Sequence, residues 1–219
     1  MVKRRELDHG LDEIQQLLVQ MGHRVETALT EAMEALRTLN INEARRLIAE
    51  DLELNALEMH ITEIGAKLMA TQQPVAKDLR NILAALKISS DLERMGDLAV
   101  DIAKAAVRLE GQELIKPLID LPRLAEMVRA MVADSVRSYL EQNVDLAYKL
   151  DKDDHEVDAL YSQILRELFS LMATDPSTIS QSMLLSFVGR YIERIGDHAT
   201  NIGESTVYLV TGKRPDLNT

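Results

Sequence analysis

Glu93-Arg94-Met95-Gly96-Asp97-Leu98-Ala99-Val100-Asp101-Ile102 returns one hundred positions later as Glu193-Arg194-Ile195-Gly196-Asp197-His198-Ala199-Thr200-Asn201-Ile202. Six of the ten columns are identical. Residues four apart share one face of a helix, so Glu93, Asp97 and Asp101 form one polar row and Glu193, Asp197 and Asn201 a second. A helical motif repeated at this distance predicts two copies of a domain of about 100 residues, a period too long for a solenoid repeat.

Outward from these rows, the flanking sequence keeps helical spacing. Upstream of the first copy, Ile82, Leu83 and Leu86 continue an apolar side, and Pro74 suits the first turn of a helix running from there to about Glu110. From Leu7 to Leu39 the apolar positions Leu7, Leu11, Ile14, Leu18, Met21, Val25, Ala28, Ala32, Leu36 and Leu39 step by three and four, which predicts a long amphipathic helix. Asn40 with Glu43 reads as a capping box for the next helix, whose seam runs Leu47, Leu54, Leu57, Ile61, Ile64, Leu68 to a close near Gln72. Gly111, Pro117 and Pro122 punctuate a linker. Beyond it the plan repeats: a helix over Leu124–Tyr139, Asn143 in the capping place of Asn40, and a seam through Leu150, Val157, Leu160, Ile164, Leu168 and Leu171. The word Leu68-Met69-Ala70-Thr71 recurs as Leu171-Met172-Ala173-Thr174, and Thr178 with Gln181 reads as the cap of a final helix ending near Gly212. The expected architecture is all-α, two tandem three-helix bundles with six long helices, residues 1–112 and 113–219.

Composition agrees. Aromatic residues are only 3% of the 219, with no Trp, and 9 Gly and 5 Pro leave little room for the turns of a β fold. The formal net charge of −11 argues against nucleic acid, whose phosphates need a basic surface. There is no apolar run long enough to span a bilayer and no apolar stretch behind the first residues, so the reading is cytoplasmic, with membrane contact only through partners. The absence of cysteine excludes disulfides, Cys-ligated zinc and a thiol nucleophile.

Polar insertions also break the second-helix seams. Asp51 and Asn55 align with Asp154 and Asp158. In an antiparallel helix pair the second- and third-helix rows would face each other, collecting Asp51, Asn55, Glu93, Asp97 and Asp101 in the first bundle and Asp154, Asp158, Glu193, Asp197 and Asn201 in the second. Four carboxylates repel unless a cation, a raised pKa or water relieves them. All-oxygen donors suit Mg²⁺, Mn²⁺ or iron, with zinc less natural without His or Cys. The competing interpretation is ordinary ion pairing on a solvated face, since Arg94 with Asp97, Arg190 with Glu193 and Arg194 with Asp197 have i, i+3 spacing. Duplication favours the site. His155 and His198 follow Asp154 and Asp197, but a neighbour in a helix points about 100° away, so surface positions are expected. No phosphate loop, nucleophile elbow or His-Glu-x-x-His is present, and no enzyme is expected.

The stretch Gln72-Gln73-Pro74-Val75-Ala76-Lys77-Asp78-Leu79-Arg80, followed by Leu92-Glu93-Arg94-Met95-Gly96-Asp97 and by Ile192-Glu193-Arg194-Ile195-Gly196-Asp197, resembles the PhoU family of phosphate-transport regulators over essentially the whole chain. The resemblance implies tandem three-helix bundles, a tendency to dimerise, and Mg²⁺, Mn²⁺, iron or zinc on the acidic motifs. It also implies a cytoplasmic negative regulator of the phosphate-starvation response, linking the ATPase of the phosphate-specific ABC transporter to a sensor histidine kinase. Asn55 and Asn201 stand where carboxylates would strengthen the motif, and paired carboxylates on both facing helices predict tighter cation binding in the second bundle. Two readings from other classes are a metal-dependent phosphohydrolase on the acidic rows and a histidine phosphotransfer module using His23.

Overall fold

A computed structural model describes residues 2–50 and 52–217, the side chains of 2–4 and 52 excepted. The described residues contain helices and no strand: α1 (Val2–Thr38), α2 (Ile41–Ala49), α3 (Leu52–Gln72), α4 (Lys77–Arg108), α5 (Asp120–Glu141), α6 (Val144–Thr174) and α7 (Ile179–Thr211), with a 3-10 turn, Pro176–Thr178, before the last. The all-α expectation holds. α1 packs on α3 and α4, and α5 on α6 and α7; α4 lies along α7 and α1 along α5, so four central helices are flanked by α3 and α6. Buried apolar residues of both bundles join in one continuous core, from Leu18 and Val25 through Leu92 and Met95 to Val188 and Ile195.

Local chemistry sets the boundaries. The Asn40 side chain accepts from the Glu43 N–H (3.2 Å) and Asn143 from the Leu146 N–H (3.0 Å), as capping residues do. Thr178 stands at the N-cap position of α7 as expected, but its hydroxyl donates to the carbonyl of Asp175 (2.7 Å) and caps no α7 N–H. Asp175 accepts from the backbone N–H of Ser177 (2.9 Å), while Gln181 accepts from the N–H of Ile115 (2.7 Å) and donates to the carbonyl of Glu113 (3.0 Å), pinning the linker between the bundles. Pro122 falls in the first turn of α5, where its missing N–H costs nothing.

A single helix from Asn40 to Gln72 was expected where the structure has α2 and α3. At the end of α2 the Glu50 N–H is shared between the carbonyls of Arg46 (3.1 Å) and Leu47 (3.3 Å), a tightened last turn. Leu47 and Leu54 keep heptad spacing across this division, and the polar Asp51 between them in the sequence does not by itself stop a helix.

Several contacts tie the two bundles together. The buried Tyr139 hydroxyl donates to Asn81 (2.8 Å), and burial holds its pKa well above the usual range. Lys77 donates to Gln142 (2.8 Å), Arg80 to the carbonyl of Leu209 (3.4 Å) and Arg129 to Glu26 (3.3 Å).

Candidate metal centre

α6 and α7 run antiparallel and bring four carboxylates toward one another: Asp154 and Asp158 from α6, Glu193 and Asp197 from α7. Asp154 and Glu193 are each 7% exposed, Asp197 is half-buried and Asp158 is exposed. Gly196 permits the approach, since a Cβ there would stand 3.3 Å from Asp154 Oδ1. Burial pushes the Asp154 carboxyl up to about 7, with the charges of Asp158 and Asp197 adding to the effect. Burial likewise pushes Glu193 up to about 7, Asp197 reinforcing and Arg190 opposing. Asp197 is also raised, by burial against the pull of Arg190. Asp154 Oδ1 and Glu193 Oε2 are buried and find no hydrogen-bond donor among the described residues. Both acceptors lie in a site whose net charge repels itself.

The first bundle differs. Asp51 lies outside the described residues, and Asn55 is exposed on α3. The residue facing Gly96 is Leu54, so an apolar side chain stands across from this glycine where Asp154 faces Gly196. The acidic row of α4 turns to local cations instead: Arg94 pairs with Glu93 (3.4 Å) and Asp97 (3.1 Å), and Lys104 with Asp101 (2.8 Å). These are partly exposed i, i+3 and neighbouring pairs of modest worth. Beside them, between α1 and α4, a cleft of about 630 Å³ is lined by Val19, Leu47, Leu54 and Val100, with His23 and Arg24 among its polar residues.

Asn201 does not join the second carboxylate group. It points across the seam to α4, where its amide donates to Asp91 (3.4 Å). His198 meets the same oxygen at 2.9 Å with its side chain only 18% exposed, which overturns the surface position expected for it; His155 is exposed as expected, 2.7 Å from the carbonyl of Asp151. Asp91 Oδ2 is buried without a donor among the described residues. Sequence reasoning missed this pair because its members are 107 residues apart and neither belongs to the duplicated row. The one available signal was the asymmetry of the copies, in which Asp91 matches Tyr191 and His198 matches Leu98.

Among the described residues, no three His, Cys, Asp or Glu side chains are gathered so as to share one ion. The second group nevertheless fits a hard divalent cation in its chemistry: oxygen donors only, two of them buried without partners, and mutual repulsion that a cation would relieve. Binding would draw the four side chains inward.

No helix among the described residues is long and apolar enough to cross a membrane. The PhoU domain model matches twice, over residues 18–106 and 121–206. The phosphate-specific transport system accessory protein PhoU homolog of Clostridium acetobutylicum is 42% identical, over 98% of this chain and 99% of its own length. The homolog of the same name from Aquifex aeolicus is 40% identical over 93% of this chain and 92% of its own. The crystal structure of PhoU from Pseudomonas aeruginosa superposes with a TM-score of 0.89 at 34% identity, covering 94% of this chain and 99% of that one. The phosphate transport system regulatory protein PhoU from Streptococcus pneumoniae gives 0.89 at 28% identity, over 96% and 99%. With the family's domain present in tandem, its helical fold reproduced and its members aligned along nearly the whole length, this chain belongs to the PhoU family.

Proposed function

We propose that this protein is the accessory and regulatory protein of a phosphate-specific transport system, acting by binding and without a chemical step of its own. The observation that carries this reading is the tandem PhoU match together with relatives named as accessory proteins of that system over their full length. In this reading the protein works in the cytoplasm as a negative regulator of the phosphate-starvation response. It pairs as a homodimer and contacts the ATPase of the ABC transporter and the sensor histidine kinase. Deleting the gene tests it. Phosphate-scavenging genes become expressed in high phosphate, and the wild-type gene restores repression. Normal phosphate-responsive expression in the deletion strain refutes the assignment.

The second bundle supplies the cation site of this proposal. Asp154, Asp158, Glu193 and Asp197 hold a divalent ion, Mg²⁺, Mn²⁺, iron or zinc, which when bound would neutralise their charge and clamp α6 to α7. Arg190, already paired with Glu193, keeps part of the charge balanced before the ion enters. Loss of protons from Asp154 and Glu193 accompanies binding, because carboxylates held near neutrality must ionise to become ligands.

A further inference from the structure

α7 begins with an apolar stripe on its outer face. Ile179, Met183 and Phe187 follow one another at intervals of four, on one side of the helix, and are 42, 49 and 51% exposed. On the antiparallel α6, Tyr161 packs against Gly189, so Phe169, eight residues further along, falls level with about residue 181. It is 56% exposed. These are the two phenylalanines of the chain, and both stand in solvent. An apolar patch of this size is often a functional surface.

The charge pattern indicates the occupant. Residues 168–189 contain a single charged side chain, Asp175, in a chain whose residues are 28% charged. Serine, threonine and glutamine fill the polar positions around the stripe. Two copies carrying −11 each repel over most of their surface, but not here. A basic partner steered by the acidic field would meet carboxylates where it lands, and this patch offers almost none. Interface cores are depleted in charge and enriched in Phe and Met. The spacing is also self-complementary. Two α7 helices crossing antiparallel about a two-fold axis at Met183 set Ile179 against Phe187 of the second copy and Met183 against its counterpart.

We propose that the α7 stripe, centred on Met183 and flanked by Phe169, is the surface through which two copies of this chain pair. This rests on the homodimer reading and adds its interface. Four half-exposed apolar side chains offer about 400 Å² per copy, against about 800 Å² in a standard interface, so the dimer is reversible and concentration-dependent.

The chain contains no cysteine, which makes a positional test direct. Met183→Cys places one thiol on the proposed axis, and Val210→Cys places one at the far end of the same helix, 40% exposed. Diamide oxidises two thiols to one disulfide, itself taking up the two hydrogens. The Met183→Cys protein should cross-link to a dimer at least tenfold faster than Val210→Cys, and a second change, Phe187→Glu, should abolish the difference. Sedimentation equilibrium should show wild-type protein associating with concentration and Met183→Glu remaining monomeric, with unchanged circular dichroism. Equal cross-linking rates, or a dimer untouched by Met183→Glu, would overturn this interface while leaving the homodimer standing. A wild-type chain monomeric at every concentration would remove the homodimer itself, and this interface with it.

Discussion

Replacing Asp154 by asparagine should make the metal-free protein more stable at pH 8, with a clearly smaller gain at pH 5 and none below pH 4. An aspartate of ordinary pKa 3.8 that is pushed up to about 7 in the fold binds its proton more tightly when folded than when unfolded. Its favourable contribution is complete below pH 4 and is lost as pH rises through about 7; above that, the folded state carries the full cost of a buried, repelled charge. At ~1.4 kcal/mol per tenfold change in proton affinity, the ceiling on that cost is about 4 kcal/mol. Solvent near Asp158 and the coupled titration of Glu193 reduce it, leaving about 1–2 kcal/mol. Asparagine keeps the shape, removes the charge and offers an N–H₂ to the neighbouring carboxylates. For a chain of this size the gain corresponds to roughly 3–6 °C in Tm at pH 8. Thermal melts followed by circular dichroism in chelator, at pH 5 and pH 8, measure it. An unchanged or lower Tm at pH 8, or a gain of equal size at pH 5, would refute the argument from burial and repulsion.

Gly196→Ala should move Tm by no more than a few degrees, because better helix propensity, about 1 kcal/mol, offsets the 3.3 Å contact with Asp154 Oδ1; it should still weaken Mn²⁺ binding several-fold by crowding that oxygen. Isothermal titration of the folded variant checks both halves. Asp91→Ala should cost about 1–3 kcal/mol in urea unfolding, since it strips His198 and Asn201 of their shared acceptor across the seam, whereas Asp91→Asn, which retains an oxygen, should cost less.

Much of the fold was legible because it is written in local rules. The periodic run from Leu7 to Leu39 is α1, and Asn40 and Asn143 cap the helices that follow them. The duplication of Glu93–Ile102 at 193–202 placed the two longest polar rows on matching helices, α4 and α7. What was not legible depends on register and on distant packing. Gly96 faces Leu54 while Gly196 faces Asp154, a difference in how the flanking helix sits that repeated motifs conceal. Asn201 shares the face of Glu193 and Asp197 by spacing, yet Asp91 of the other bundle draws it away, as it draws His198. Thr178 keeps the N-cap position of α7 but not the expected bond, because its hydroxyl donates to the Asp175 carbonyl of the preceding 3-10 turn and Gln181 reaches the linker, 66 residues distant in sequence.

The second bundle, and not the first, is expected to provide a strong divalent-cation site. Titrating Mn²⁺ into chelator-treated wild-type, Asp97→Asn and Asp197→Asn proteins, with free ion read by electron paramagnetic resonance, addresses it directly. Asp197 stands beside two buried carboxylates with unpartnered oxygens, whereas Asp97 is half-exposed and held by Arg94. Asp197→Asn should lose the tightest site, while Asp97→Asn should retain it. Equal losses in the two variants, or a tightest site removed by Asp97→Asn, would contradict it.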